Sequence, residues 1–98
     1  MRLALIVPDL MDRSRITAAL PDAEISEAEA ADVIVIDIAR ALDQIVRTRA
    51  NAPHARIVGF GPHVDDESAD AARAAGADLV LARSKFFRDV SAAVAAAT

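Results

Sequence analysis

The stretch Asp32-Val33-Ile34-Val35-Ile36-Asp37 constrains the fold of this chain more than any other. Four β-branched aliphatics follow one another without a polar break, and an acid closes each end. An alternating pattern would leave one face of a strand in water. An unbroken run needs apolar cover on both faces, as in a parallel sheet with helices on each side. Asp37 then falls where the strand leaves the core, at the carboxyl edge where open α/β sheets place their ligands.

The rest of the chain can be read around that strand. Leu3 to Val7 is a second all-aliphatic run, ended by Pro8-Asp9 because proline cannot donate to a ladder. Asp9 or Asp12 can cap the helix that follows, Met11 to about Leu20, with Ile16, Ala19 and Leu20 on one face. Ala23 to Ser26 alternates, which suits a short edge strand with one face in water. Glu27 to Ala31 leaves room for a single helical turn. After Asp37 the period turns helical, with Leu42, Ile45 and Val46 on one face and Asn51-Ala52-Pro53 closing the segment. Arg56 to Phe60 is the fourth strand. Asp65 or Asp66 caps a helix over Glu67 to Ala75, whose inward face is Ala69, Ala72 and Ala75, and Gly76 stands at the left-handed position that ends it. Asp78 to Ala82 is the fifth strand, and Ser84 caps a last helix through Ala97 with Phe87, Val90 and Val94 toward the core.

Strands alternating with helices at this spacing predict one α/β domain over residues 1–98, a doubly wound parallel sheet of five strands. Right-handed crossovers favour the flavodoxin-like order 2-1-3-4-5, which buries the three aliphatic runs and puts Ala23–Ser26 on an edge. The second helix of that pattern is short or absent.

Composition narrows the function classes. A net charge of −4 argues against a nucleic-acid or anionic-lipid footprint. With no cysteine, disulfides, thiolate chemistry and Cys–zinc sites are excluded. No apolar run approaches the roughly 18 residues of a membrane span, and the apolar run at the amino terminus is too short for a signal peptide, so a cytoplasmic protein is expected. Alanine takes the place of larger side chains in the helices. The area each helix buries is correspondingly small, and self-association would add to stability.

In this topology Pro8-Asp9, Asp37, Gly61-Pro62-His63 and Arg83-Ser84 converge at the carboxyl edge. Asp37 there could be a phosphoryl acceptor or a metal ligand, or it could simply cap the helix beginning near Ala39. Capping is also the plainer role for Asp9. His63 follows Pro62 in a loop and has no partner histidine or cysteine at zinc-ligand spacing. Arg83 could hold an anion bidentately, but an ion pair with Asp37 or Asp9 is the favoured reading. No glycine-rich phosphate loop and no nucleophile elbow occurs, so the residues do not argue for an enzyme.

The run Ala72-Arg73-Ala74-Ala75-Gly76-Ala77-Asp78-Leu79-Val80-Leu81-Ala82-Arg83-Ser84, with Val33 to Asp37 and Leu3 to Val7, resembles the receiver domains of bacterial two-component response regulators. The resemblance covers nearly the whole chain. It implies that Asp37 matches the phosphoacceptor and that Pro8-Asp9 matches the acidic pair that holds a divalent cation, with one carboxylate missing. It further implies that Gly61 stands where a Thr or Ser follows the phosphoryl group, Arg83 where a Lys stands, and Ser84 where a proline usually follows. Magnesium at Asp9 and Asp37 would therefore be weakened, and phosphoryl transfer depends on that charge neutralisation. The expectation is a stand-alone pseudo-receiver in bacterial signalling, with Arg83 replacing the cation beside Asp37. It would act on a protein partner or homodimer through the family's fourth and fifth helices, here Glu67–Ala75 and the helix ending at Ala97. The alternatives are a single-domain regulator that still accepts phosphate at Asp37, and a small anion-binding protein or enzyme using Asp9, Asp37, His63 and Arg83.

Overall fold

A computed structural model describes residues 1–62 and 64–97. Its centre is a five-stranded sheet in the order β2-β1-β3-β4-β5, formed by β1 (Arg2–Ile6), β2 (Glu24–Ile25), β3 (Val33–Asp37), β4 (Arg56–Gly61) and β5 (Leu79–Ala82). Every pairing is parallel, with Leu3 opposite Val33, Ile34 opposite Ile57 and Val58 opposite Leu79. The doubly wound flavodoxin-like order expected from the pattern is the one observed.

The unbroken aliphatic run works as its composition requires. Val33 and Val35 of β3 face one layer, with Leu3, Val7, Ile16, Val58, Phe60, Phe86, Val90 and Val94. Ile34 and Ile36 face the other, with Ala4, Ile38, Ala41, Ile45, Ile57, Ala69, Ala72 and Val80. All four are fully buried, and strand geometry sends alternate side chains to opposite faces, so each layer receives two. Burying one such side chain contributes about 1.5–3 kcal/mol, which makes β3 the main anchor of both layers.

The first layer is completed by α1 (Leu10–Ala19), α5 (Arg83–Arg88) and α6 (Val90–Ala97), the second by α2 (Ile38–Ala41), α3 (Gln44–Asn51) and α4 (Asp66–Ala75). Between β2 and β3 there is only a 3-10 turn, Ala28–Ala30, as the short spacing implied. Among the described residues no helix is long and apolar enough to cross a membrane.

Several local expectations are corrected. The segment after Asp37 is two helices, and its buried stripe is Ile38, Ala41, Ile45 and Thr48. Leu42 and Val46 are instead 45% and 64% exposed. The reason is the starting point. Asp37 caps the helix at once, so the inward face is phased from Ile38 and not from Leu42. The last helix is likewise broken. Asp89 leaves helical geometry at φ −154 and accepts the Ala92 amide at 3.0 Å, so it caps a fresh helix, α6. Ser84 makes no capping bond, because α5 has already begun at Arg83. With that phase Phe86, not Phe87, is the fully buried ring. Ala19 of α1 is exposed, and β2 lies on the edge with both of its residues exposed, Ile25 included.

Two caps fall as expected. Asp65 accepts the Ser68 amide at 2.7 Å at the start of α4, and Gly76 ends α4 at φ 128, where a side chain would be strained. A Cβ on Gly76 would also lie 2.8 Å from the Cβ of Arg49. That arginine is a brace. Its guanidinium donates to the carbonyls of Ala52, Pro53, Ala55 and Gly76 and to the Asp78 carboxylate, tying α3, β4, α4 and β5 together at the amino edge.

Candidate functional site

The carboxyl edge holds a hollow of about 230 Å³ lined by Asp9, Asp12, Asp37, Arg40, Phe60, Gly61 and Arg83, among others. Each charged group arrives by a local rule. Asp9 precedes α1 and accepts the Asp12 amide at 2.9 Å, the ordinary work of an N-cap. Asp12, three residues on, lies in the first turn of α1, and its side chain is only 5% exposed. Asp37 ends β3 and caps α2 by accepting the Ala39 amide at 3.0 Å. Arg40, one turn along α2, lies 3.9 Å from both Asp9 and Asp37.

Arg83 enters from the end of β5 and forms a forked pair with Asp12. Nη1 donates to Oδ2 at 2.6 Å and Nη2 donates to Oδ1. This corrects the expected pairing with Asp37 or Asp9. The Asp37 carboxylate is turned to the Ala39 amide with Arg40 beside it, while the first turn of α1 presents Asp12 directly to the end of β5. The Arg83 hydrogen bonds hold the Asp12 carboxyl below the usual carboxylate range, against the opposing effect of burial. The same bonds raise the Arg83 guanidinium above its ordinary value.

The structure thus brings together Asp9, Asp37, Gly61 and Arg83 of the residues singled out by sequence. Ser84 is exposed and lines a neighbouring hollow, and His63 lies outside the described residues. Asp12 and Arg40 were missed as site residues. The available signal was helical spacing: each lies three residues after an acid at the carboxyl edge, hence one turn along the same face.

Gly61 also has a structural explanation. A Cβ there would come within 2.9 Å of Ile38 Cγ1, and one on Gly59 within 2.7 Å of Ile38 Cγ2. The immediate start of α2 after Asp37 lays Ile38 across β4, in the space where a side chain from position 61 would project. Placing a hydroxyl-bearing side chain there requires moving a buried, stiff β-branched residue.

The acids do not fit a divalent cation. Among the described residues no group of three acidic or histidine side chains is placed to hold one. Magnesium takes oxygen ligands in near-octahedral array, whereas here the guanidiniums of Arg40 and Arg83 stand beside the carboxylates. Each of the three carboxylates has a guanidinium of the chain beside it, with Arg40 shared between Asp9 and Asp37.

No protein-family model matches the sequence, and no curated protein sequence matches it. Solved structures do. The chain is similar to a response regulator from Burkholderia pseudomallei, solved with a phosphorylated aspartic acid, a calcium ion and citrate. That match has a TM-score of 0.79 and 19% identity, and covers 95% of this chain and 65% of that one. It is similar to a putative pilus assembly protein, cpaE, from Burkholderia thailandensis E264, with a TM-score of 0.80, 15% identity, and 99% and 97% of the two chains covered. It is also similar to a CheY-like protein, tadZ, from Pseudomonas aeruginosa PAO1, with a TM-score of 0.76, 12% identity, and 100% and 99% covered. At such identities the likeness establishes the fold: this chain has the CheY-like receiver fold of response regulators.

Proposed function

We propose that residues 1–98 form a receiver-like regulatory module of cytoplasmic signalling that acts by protein contact and is not switched by phosphorylation of Asp37. The observation that carries this reading is the Asp12–Arg83 pair, a forked ion pair made across 71 residues of sequence in the hollow at the carboxyl edge. A carboxylate that accepts phosphate needs freedom to attack and a cation to neutralise the transferred group. Asp37 is 6% exposed, bonded to the Ala39 amide and flanked by Arg40, and Gly61 offers no hydroxyl to follow a phosphoryl oxygen.

The signal would leave through a surface. Beside the edge strand β5 lies a mainly apolar groove of about 410 Å³, lined by Leu79, Leu81, Ala92, Ala93 and Ala96 with Lys85, Arg88 and Asp89 as its charged groups. Together with α4 it supports contact with a protein partner or a second copy through the face expected from the sequence.

Amide NMR during a magnesium and beryllofluoride titration tests the reading. The expected result is no saturable shift at Asp9, Asp12, Asp37 or Gly61. Saturable shifts clustered there would favour a phosphate-accepting regulator instead.

A further inference from the structure

A second hollow, of about 340 Å³, lies between α1 and α5 and is lined only by Arg15, Arg83, Ser84, Phe87 and Arg88. We propose that it is an oxyanion site that takes the carboxylate or phosphate groups of an acidic segment on a protein partner. Three of its five lining residues are arginines and none is acidic, although the chain as a whole carries −4. Among the described residues neither Arg15 nor Arg88 has a carboxylate within ion-pair distance.

Two of the three arginines are also held in place. Arg15 lies over the Phe87 ring at 4.2 Å from its centroid, and Arg83 lies 4.8 Å from the same centroid. Phe87 in turn is fixed edge-on to Phe60 and Phe86, with centroids 5.2 and 5.0 Å away. A guanidinium stacked on an anchored ring keeps its rim of N–H donors free while losing much of its rotamer freedom before any ligand arrives. That arrangement suits bidentate capture of a planar carboxylate or a phosphate. Asp12 uses one fork of Arg83, so Arg15 and Arg88 supply the open donors. The volume exceeds what a single small anion fills, and Lys85 and the β5 groove adjoin it through Arg88, so an extended segment can continue along the surface.

The test titrates the protein with a hexaglutamate peptide, a phosphoserine peptide of neutral flanking sequence, and inorganic phosphate, followed by amide NMR at low and physiological salt. Saturable shifts at Arg15, Ser84, Phe87 and Arg88 with either peptide, tighter than with inorganic phosphate, support the site. So does a weakening of about tenfold or more in the Arg15→Ala/Arg88→Ala variant. Both residues are exposed, so that variant is expected to stay folded, and an unchanged amide spectrum elsewhere confirms it. No saturable peptide binding, binding unaffected by the variant, or peptide binding no tighter than inorganic phosphate would each overturn the proposal. None of these outcomes depends on whether Asp37 accepts phosphate.

Discussion

Removing Arg83 strands Asp12. The Asp12 side chain is 5% exposed and the Arg83 side chain 40% exposed, so the pair lies between the surface and buried extremes. Exposed pairs contribute about 0–1 kcal/mol, and breaking a fully buried pair by deleting one partner costs about 3–5. For Arg83→Ala we therefore expect a loss of about 2–3 kcal/mol, because the carboxylate left behind cannot reach water easily. Asp12→Ala should cost less, about 1–2 kcal/mol, since the freed guanidinium is already partly solvated. The double variant should recover part of the sum, a coupling of about 1–2 kcal/mol. Urea denaturation of the four proteins at neutral pH measures each quantity. In a domain of this size Arg83→Ala should lower Tm by about 10–20 °C. If both single variants stay within about 0.5 kcal/mol of the parent and the cycle is additive, the pair has no structural weight and the reasoning fails.

Other consequences follow from the same contacts. The Asp12 carboxyl is held below its unfolded value near 3.8, so its stabilisation is present above that pH and is lost as pH falls through the lower folded value. Acid unfolding should be shallower in Asp12→Asn than in the parent, and parallel curves would contradict the assignment. Arg49→Ala removes the donors to four carbonyls and the Asp78 carboxylate and should cost about 2–4 kcal/mol, with Arg49→Lys intermediate. Thermal melts decide it. Gly61→Ser drives a Cβ against Ile38 Cγ1 and should cost about 1–3 kcal/mol, a penalty that should shrink in an Ile38→Ala background, where that atom is gone. No loss on Gly61→Ser would show that Ile38 does not hold that space.

What could be read from the sequence was what local rules encode. The run Val33–Ile36 fixed a two-faced strand and hence helices on both sides. Its period-two division between the layers is what the structure shows. Gly76, read from the left-handed position alone, marked a helix end correctly. Phase was harder. The helix after Asp37 starts one residue after its cap, and that shift moved Leu42 and Val46 from the expected core to solvent. Asp89 restarts the last helix, a break that a continuous alanine-rich pattern does not advertise. The charged site failed for a different reason. Asp9, Asp37 and Arg83 reached the same edge as expected, but the choice of partner depended on which carboxylate was already occupied by an amide. Asp37 was, and Asp12 was not. Arg49 left no trace because most of its partners are backbone carbonyls, which every residue possesses.

The most direct test of the account is intact-mass measurement after incubation with acetyl phosphate and magnesium, on the parent chain and on Asp37→Asn. The parent is expected to gain no phosphoryl group that the Asp37→Asn variant lacks. Phosphorylation of the parent at Asp37, abolished in the variant, would contradict the proposal that this module is not switched at Asp37.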